Sequence, residues 1–195
     1  MVAFLAGLPL SSLRMAVPTE DNYIDWTLSG IREYFERRGF RVETHSVGQR
    51  AEKHLPVDRL IAVGKKILGL QFKRPNRETP PFRFDPTPHQ HRLIAGTSWI
   101  YYCLPDFTDR TLQEVALWHC RFVPGTAPIN GEFFSRWGNI ADRLLACTAG
   151  LELRDEDTAA ELMNEIQEAP EDAYVIIDRA TRKVDLVRGA TSETS

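Results

Sequence analysis

The sequence has little of what marks several common classes of protein. Its 195 residues include three cysteines, Cys103, Cys120 and Cys147, which lie far apart and cannot all pair. A disulfide framework is therefore not expected, and free thiols suit a reducing compartment. No apolar run approaches the roughly 18 residues that a membrane-spanning helix needs. We therefore expect a cytoplasmic protein with no membrane partner.

The motifs of the most familiar enzyme classes are also missing. The histidines have no recognised metal-ligand spacing, which argues against zinc. There is no Gly-x-Ser-x-Gly turn for a nucleophilic serine and no phosphate loop ending in Gly-Lys-Ser/Thr. The two commonest enzyme assignments that rest on a motif are thereby excluded.

The chain begins with an apolar segment that resembles a secretory signal only in part. No Lys or Arg precedes Arg14, and no clear cleavage pattern follows. We interpret residues 1–18 as an N-terminal arm, or as an upstream extension if translation starts at Met15.

Charge is distributed unevenly along the chain. The formal net charge is -3, but residues 50–92 hold ten basic and four acidic residues, whereas residues 152–195 hold five basic and twelve acidic ones. A basic middle is compatible with a surface for a polyanion such as nucleic acid, and a solvated charged face is the alternative.

Hydrophobic periodicity predicts an α/β chain. Thr19 is a candidate N-cap, and a stripe of apolar residues at helical spacing follows it, so a helix is expected over residues 19–38. Further helices are predicted near 89–95, 109–117 and 132–149. Strands are predicted at 40–47, on both sides of a turn at 64–66, at 99–104 and at 118–123. We expect a mixed central sheet flanked by helices in one domain, residues 19–150.

The remaining segment, residues 151–195, is predicted to be an appendage packed on the same domain. It is expected to contain an acidic helix at 157–168 and a β-hairpin formed by residues 173–178 and 183–187. Residues 189–195 are expected to be disordered.

The hairpin around Gly64 has polar residues at one end. Asp58 opens its first strand, and Gln71 and Lys73 close its second. Because residues two apart in a strand share a face, Gln71 and Lys73 are expected to point one way and Leu70 and Phe72 the other. A carboxylate, an amide and an ammonium group can therefore meet at one edge of the hairpin.

This hairpin, with a helix before it and a helix and strand after it, resembles the core of the PD-(D/E)XK (restriction-endonuclease-like) nuclease superfamily. Pro56-Val57-Asp58 matches the "PD" position with one residue inserted, and Gln71-Phe72-Lys73 matches "(D/E)XK" with glutamine for the acid. The Gln-x-Lys form is similar to the Mrr-type branch, whose members cut DNA. The resemblance covers roughly residues 20–123.

The resemblance implies a role for each residue of the motif. Asp58, the Gln71 side-chain carbonyl and the Phe72 backbone carbonyl would bind Mg²⁺, or Mn²⁺ in its place. Lys73 would orient the attacking water or stabilise developing charge. Many members of the family add a helix glutamate to the site; Glu20 is our choice, with Asp21 and Asp25 as alternatives. Arg74, Arg77 and Gln90 are the candidate substrate contacts.

The expected function is hydrolysis of phosphodiester bonds in nucleic acid, DNA by analogy with the Mrr-type branch, in defence against foreign DNA. A homodimer is also compatible with the resemblance. The alternative is a catalytically inactive module with the same fold that serves binding or assembly. Gln71 is the reason for keeping this alternative, because an amide in place of a carboxylate removes a full negative charge from the metal site.

Overall fold

A computed structural model describes residues 17–47, 55–95, 97–153, 173–178 and 183–188, together with the single positions 161 and 168. Its architecture is a mixed α/β fold in which helices flank a six-stranded sheet. The elements in chain order are α1 (Glu20–Glu36), β1 (Val42–Ser46), β2 (Arg59–Val63), β3 (Lys66–Phe72), α2 (Pro88–Ala95), β4 (Ile100–Pro105), a 3-10 helix (Arg110–His119), β5 (Cys120–Pro124), α3 (Trp137–Leu145), β6 (Leu151–Glu152), β7 (Ala173–Asp178) and β8 (Lys183–Arg188).

The main sheet follows the order β1-β2-β3-β4-β5, and β6 pairs with the first residues of β3. Strands β1, β2 and β3 form an antiparallel meander, β3 and β4 are parallel, and β4 and β5 are antiparallel. A parallel pair needs a crossover connection, which the loop after β3 and helix α2 provide. The order of elements therefore agrees with the predicted mixed sheet.

Strand β3 divides two hydrophobic cores. Leu68, Leu70 and Phe72 pack in the core that includes the apolar side chains of α1 and α3, whereas Ile67 packs in the core on the other face. The expected alternation along β3 is thereby confirmed. Gly69 lies where the strands approach closely, since a Cβ atom there would be 2.9 Å from Ile100.

Helix α1 forms as its sequence predicts. The Thr19 side chain accepts a hydrogen bond from the Asn22 backbone N–H at 3.2 Å, and the Asn22 side chain accepts one from Thr19 N–H at 3.1 Å. This reciprocal cap satisfies two backbone donors that the helix cannot satisfy itself. The predicted stripe, Ile24, Leu28, Ile31 and Phe35, is buried. Gly39 follows the helix with a φ of +80°, a conformation that favours glycine.

The predicted helix over residues 132–149 was too long, because α3 begins only at Trp137. Ser135 is engaged instead in a backbone bridge with Phe122, with hydrogen bonds of 2.8 and 2.9 Å. Residues in such a bridge cannot continue a helix. Phe133 and Phe134, two apolar residues within that predicted helix, are 66% and 38% exposed.

The segment around Trp118 also differs from prediction. The 3-10 helix extends to His119, and β5 starts at Cys120 rather than at residue 118. Trp118, the first residue of the predicted strand, is 50% exposed.

The C-terminal hairpin forms as predicted, with β7 and β8 antiparallel in a separate two-stranded sheet. Leu151 and Glu152, which were assigned to the appendage, pair with β3 in the main sheet. Positions 161 and 168 are helical, but the rest of the helix predicted at 157–168 lies outside the described residues, as do residues 1–16 of the arm and the tail 189–195.

None of the helices formed by the described residues combines the length and the apolar character that crossing a membrane requires.

Candidate active site

Three elements, β2, β3 and α1, meet at the end of the main sheet at which strand β3 ends. The antiparallel pairing of β2 with β3 sets Asp58 beside Gln71, since Asp58 N–H donates to Leu70 O at 2.9 Å. The first residue of α1 reaches the same edge, where the Glu20 carboxylate accepts a hydrogen bond from Arg74 N–H at 3.3 Å. Residues far apart in sequence are therefore brought together by strand pairing and by the N-terminus of α1.

The Asp58 carboxylate is held by two donors on one oxygen. Oδ2 accepts the Phe72 backbone N–H at 2.5 Å and the Gln71 Nε2–H at 2.7 Å. No hydrogen bond to Oδ1 comes from the part of the chain that the structure describes. One carboxylate oxygen is thus fixed by the protein, and the other is left for a further partner.

Gln71 is the most deeply buried polar residue of this group, with 1% of its surface exposed. Its Nε2 faces Asp58 and lies 3.4 Å from Phe72 O, so its Oε1 points elsewhere. This orientation follows from the chemistry, because an ionised carboxylate can only accept hydrogen bonds. Oε1 is buried and has no hydrogen-bond partner among the described residues. A buried acceptor without a partner is costly, which points to a water, cation or ligand at this atom.

The electrostatics of the cluster show that its charged groups act on one another. Burial raises the pKa of Glu20; Lys73 opposes this shift and the charge of Asp58 adds to it. Burial also raises the pKa of Asp58, opposed by hydrogen bonds from Phe72 and Gln71 and by Lys73. Two carboxylates that share one ammonium group form a site that an additional cation would stabilise.

Among the acids proposed for α1, Glu20 is the one that faces the cluster. Asp21 and Asp25 are exposed, whereas Glu20 is half-buried and within electrostatic reach of Asp58 and Lys73.

The candidate substrate contacts lie around this cluster. Arg74 and Arg77 are exposed on the loop that leaves β3 directly after Lys73. Gln90 is half-buried on α2, and no hydrogen bond within the described parts of the chain joins its side chain to Asp58 or Gln71.

A tyrosine and histidine pair beside Gln71 was not predicted as part of the site. Tyr102 is the β4 partner of Gln71, its hydroxyl lies 3.1 Å from His91 Nδ1, and the two rings stack with centroids 5.9 Å apart. Burial raises the pKa of Tyr102 to about 12, so the hydroxyl keeps its proton at neutral pH. Tyr102 stands in a continuous apolar run, which predicted only a core residue.

The oxygens of this edge fit a hard divalent cation. No three histidine, cysteine or acidic side chains in the described ranges cluster closely enough to hold a metal ion. Glu20 and Asp58 provide two carboxylates, and Gln71 Oε1 and the Phe72 backbone carbonyl complete a set made only of oxygen, the ligand type that Mg²⁺ prefers. The unpaired Oε1 is the observation that carries this fit.

Comparisons with protein-family models, with curated proteins and with solved structures each found no match.

Proposed function

We propose that this chain is a nuclease that depends on a divalent cation, Mg²⁺ or Mn²⁺, and hydrolyses phosphodiester bonds. The supporting observation is the convergence of Glu20, Asp58, Gln71 and Lys73 at one edge of the sheet, with a buried amide oxygen that lacks a partner. The sequence resemblance implied functional roles for these same four residues, which lie in or next to three separate elements.

The topology agrees with the proposal. A helix, three antiparallel strands, a crossover with a helix and a parallel strand follow one another in the order that the resemblance to PD-(D/E)XK nucleases implies. Fold order alone does not establish an activity, so the proposal rests on the cluster.

Each residue has a definite part in the proposed chemistry. Asp58, Glu20, Gln71 Oε1 and Phe72 O would hold the cation, which when bound neutralises phosphate charge and lowers the pKa of a water molecule. Lys73 is half-buried, and its positive charge opposes the rise in the pKa of both carboxylates. It would donate hydrogen bonds to the attacking water or to the phosphate oxygen on which charge develops.

DNA is the proposed substrate by analogy with the Mrr-type branch that the Gln-x-Lys motif resembles. Exposed Arg74 and Arg77 continue from Lys73 along one loop and provide cations for a phosphate backbone. RNA has the same backbone charge and is the competing substrate. A cytoplasmic location, a role against foreign DNA and a homodimer that cuts both strands belong to the same proposal.

One observation favours a second candidate, a catalytically inactive module that binds nucleic acid or protein. The Gln71 side chain is a neutral amide that donates to Asp58, so the cluster has two carboxylates rather than three. Such a site holds a cation less tightly than one with an acid at position 71.

Cleavage assays separate the two candidates. Supercoiled plasmid, linear duplex, single-stranded DNA and RNA are incubated with Mg²⁺, with Mn²⁺ or with EDTA. The proposed nuclease cuts DNA only with the metal, and Asp58→Asn and Lys73→Met each lower the rate by at least about 100-fold, the usual order for loss of one electrostatic or acid-base group.

Lys65→Met is the matched control for Lys73→Met. Lys65 is exposed in the turn between β2 and β3, at the opposite edge of the sheet, so its variant should cut at the wild-type rate. A wild-type chain that is inert on every substrate, or a Lys73→Met variant that remains active, would refute the nuclease and leave the binding module.

A further inference from the structure

A cavity opens near the candidate active site. It has a volume of about 270 Å³ and lies between the loop after β3 and the segment that precedes α3. The side chains that matter for its chemistry are Phe82, Arg83, Arg121, Asn130, Glu132 and Phe134. The volume is just below the roughly 300 Å³ at which sites for small-molecule ligands begin, so it suits one flat group rather than a large ligand.

Asn130 joins the two walls of this cavity by hydrogen bonds. Its Oδ1 accepts the Phe84 backbone N–H and its Nδ2 donates to the Phe84 carbonyl, each at 2.9 Å. Both backbone groups of Phe84 are therefore engaged by one side chain. The walls are held at a fixed separation before any ligand arrives, which lowers the cost of binding.

Arg121 provides an oriented guanidinium group in the cavity. Its Nε lies 2.6 Å from Asp106 Oδ1, and its guanidinium carbon lies 5.3 Å from the Phe84 ring and 5.6 Å from the Phe134 ring. Its two terminal nitrogens make no hydrogen bond to other described residues. A guanidinium group held by this ion pair and flanked by rings presents these nitrogens as a fork, which matches the oxygens of a phosphate.

The pairing of strands aligns Arg121 with Lys73 across the sheet, in a row that runs perpendicular to the strands. The parallel ladder pairs Phe72 with Cys103, and Lys73 N–H continues it by donating to Cys103 O at 3.3 Å, which sets Lys73 beside Leu104. Leu104 pairs in turn with Arg121 on β5. Two strand spacings separate Lys73 from Arg121, or roughly 10 Å.

The two cations also project from the same face of the sheet. Their neighbours Phe72 and Phe122 both pack in the core that faces α1, and successive side chains of a strand alternate between faces. Lys73 and Arg121 therefore lie on the opposite face, together with Gln71.

We propose that this cavity binds one nucleotide of a single-stranded DNA end next to the bond that is cut, an inference that rests on the proposed nuclease function. A strand with its scissile phosphate at Lys73 places a neighbouring phosphate on Arg121 and Arg83. Its base then stacks on Phe134 and Phe82, because every base has a flat face and aromatic stacking is tolerant of sequence.

Glu132 sets the orientation within the cavity. Its carboxylate repels phosphate, so the base lies on the Glu132 side and the phosphate on the side of the two arginines. An intact duplex keeps its bases stacked inside the helix, so only an unpaired nucleotide can occupy the cavity.

The test measures binding in EDTA, which prevents cleavage. Fluorescence anisotropy compares a blunt DNA hairpin with the same hairpin carrying a short thymidine overhang, at the 5′ end or at the 3′ end. The wild type should prefer one of the overhangs, and Phe134→Ala should weaken binding of that DNA by about tenfold while leaving blunt DNA unchanged. Arg83→Ala should also weaken the overhang complex, and Glu132→Gln should strengthen it.

Phe133→Ala is the matched control, because Phe133 is 66% exposed in the neighbouring position but does not line the cavity. Equal binding of blunt and overhang DNA by the wild type, or equal effects of the two phenylalanine variants, would overturn the inference. Arg121→Ala is not used, since Arg121 is one of the two arginines that pair with Asp106, and its loss would disturb the fold as well as the cavity.

The nuclease proposal and the nucleotide cavity fail separately. Lys73→Met should abolish cleavage yet keep the overhang preference. An inactive wild type with an intact overhang preference would refute the nuclease and keep the cavity. A wild type that cuts DNA but binds blunt and overhang DNA equally would refute only the cavity.

Discussion

Gln71 decides the charge of the candidate active site. As an amide it donates to Asp58 and supports that carboxylate, whereas a glutamate in its place would repel it. An amide at position 71 therefore favours the chain without a cation, whereas an acid there would favour the chain with the proposed cation bound. The same residue explains why the alternative of an inactive module follows from both the sequence and the structure.

Gln71→Glu therefore should reverse this balance. In EDTA the variant is expected to be less stable than the wild type by about 1–3 kcal/mol, because a hydrogen bond is lost and a buried acid is added beside Asp58. Thermal unfolding in Mg²⁺ should restore much of that loss. Gln90→Glu makes the same chemical change on α2 and should show no difference between EDTA and Mg²⁺; an equal loss for Gln71→Glu in both buffers would contradict a cation site.

Asp58→Asn tests the buried carboxylate through its pH dependence. The folded-state pKa of Asp58 is raised above the ordinary aspartate value of 3.8, mainly by burial, so the folded chain binds its proton more tightly than the unfolded chain. Stability from this group is therefore lost as the pH rises from about 3.8 through the folded pKa. Asn cannot ionise, so without divalent cations its stability relative to the wild type should increase across this range and then level off. Urea titrations at several pH values measure it, and a constant difference would contradict the shift.

Helix α1 is the element that brings the most distant residue to the site. Its N-cap at Thr19 sets where the helix begins, and the next residue is Glu20. A shift of this terminus would move the Glu20 carboxylate away from Arg74 N–H and from the Asp58 side. Capping chemistry and site geometry are thus linked through two adjacent residues.

Thr19→Ala should consequently affect both stability and activity. Loss of the cap is expected to lower the free energy of unfolding by about 1 kcal/mol, measured by urea denaturation, and to reduce Mg²⁺-dependent cleavage. Ile140→Val in α3 is the control. It removes one buried methyl group away from the cluster, which should lower the free energy of unfolding by a similar amount, roughly 0.5–1.5 kcal/mol. If both variants cut DNA at the wild-type rate, the position of α1 does not matter for the reaction.

Basic and acidic residues are concentrated in different parts of the chain. Residues 1–151 hold 19 basic and 15 acidic residues, and the rest of the chain holds five basic and twelve acidic ones. The net charge of -3 is therefore the sum of a basic fold and an acidic C-terminal segment. A nucleic acid would meet the fold at the edge that carries Lys73, Arg74 and Arg77.

Salt dependence of DNA binding measures these contacts. Each phosphate contact that is removed lowers the slope of log K against log salt by about 0.9 for duplex DNA, so Arg74→Ala and Arg77→Ala should each flatten it by about that amount in EDTA. Arg41→Ala is the control: its side chain is 87% exposed, and it precedes β1 at the opposite edge of the sheet. An equal change in all three variants would show that only net charge matters.

The sequence by itself determined most of the elements and which of their faces are buried. The apolar stripe of α1, the hairpin around Gly64 and the buried strand β4 follow from local periodicity, which depends only on residues near in sequence. It also identified the four residues of the cluster as candidates. Strand alternation and a short motif placed Asp58, Gln71 and Lys73 at one end of a hairpin, and the resemblance added Glu20.

Only the tertiary structure decided how those residues meet and where local patterns are overruled. The bridge between Ser135 and Phe122 shortened α3, since a long-range backbone pair removed residues that were helical by periodicity alone. The orientation of the Gln71 amide, the approach of Glu20 and the row from Lys73 to Arg121 likewise depend on contacts between distant segments. Such contacts leave no periodic signal in the chain, because each partner is selected by the pairing of strands and not by its neighbours in sequence.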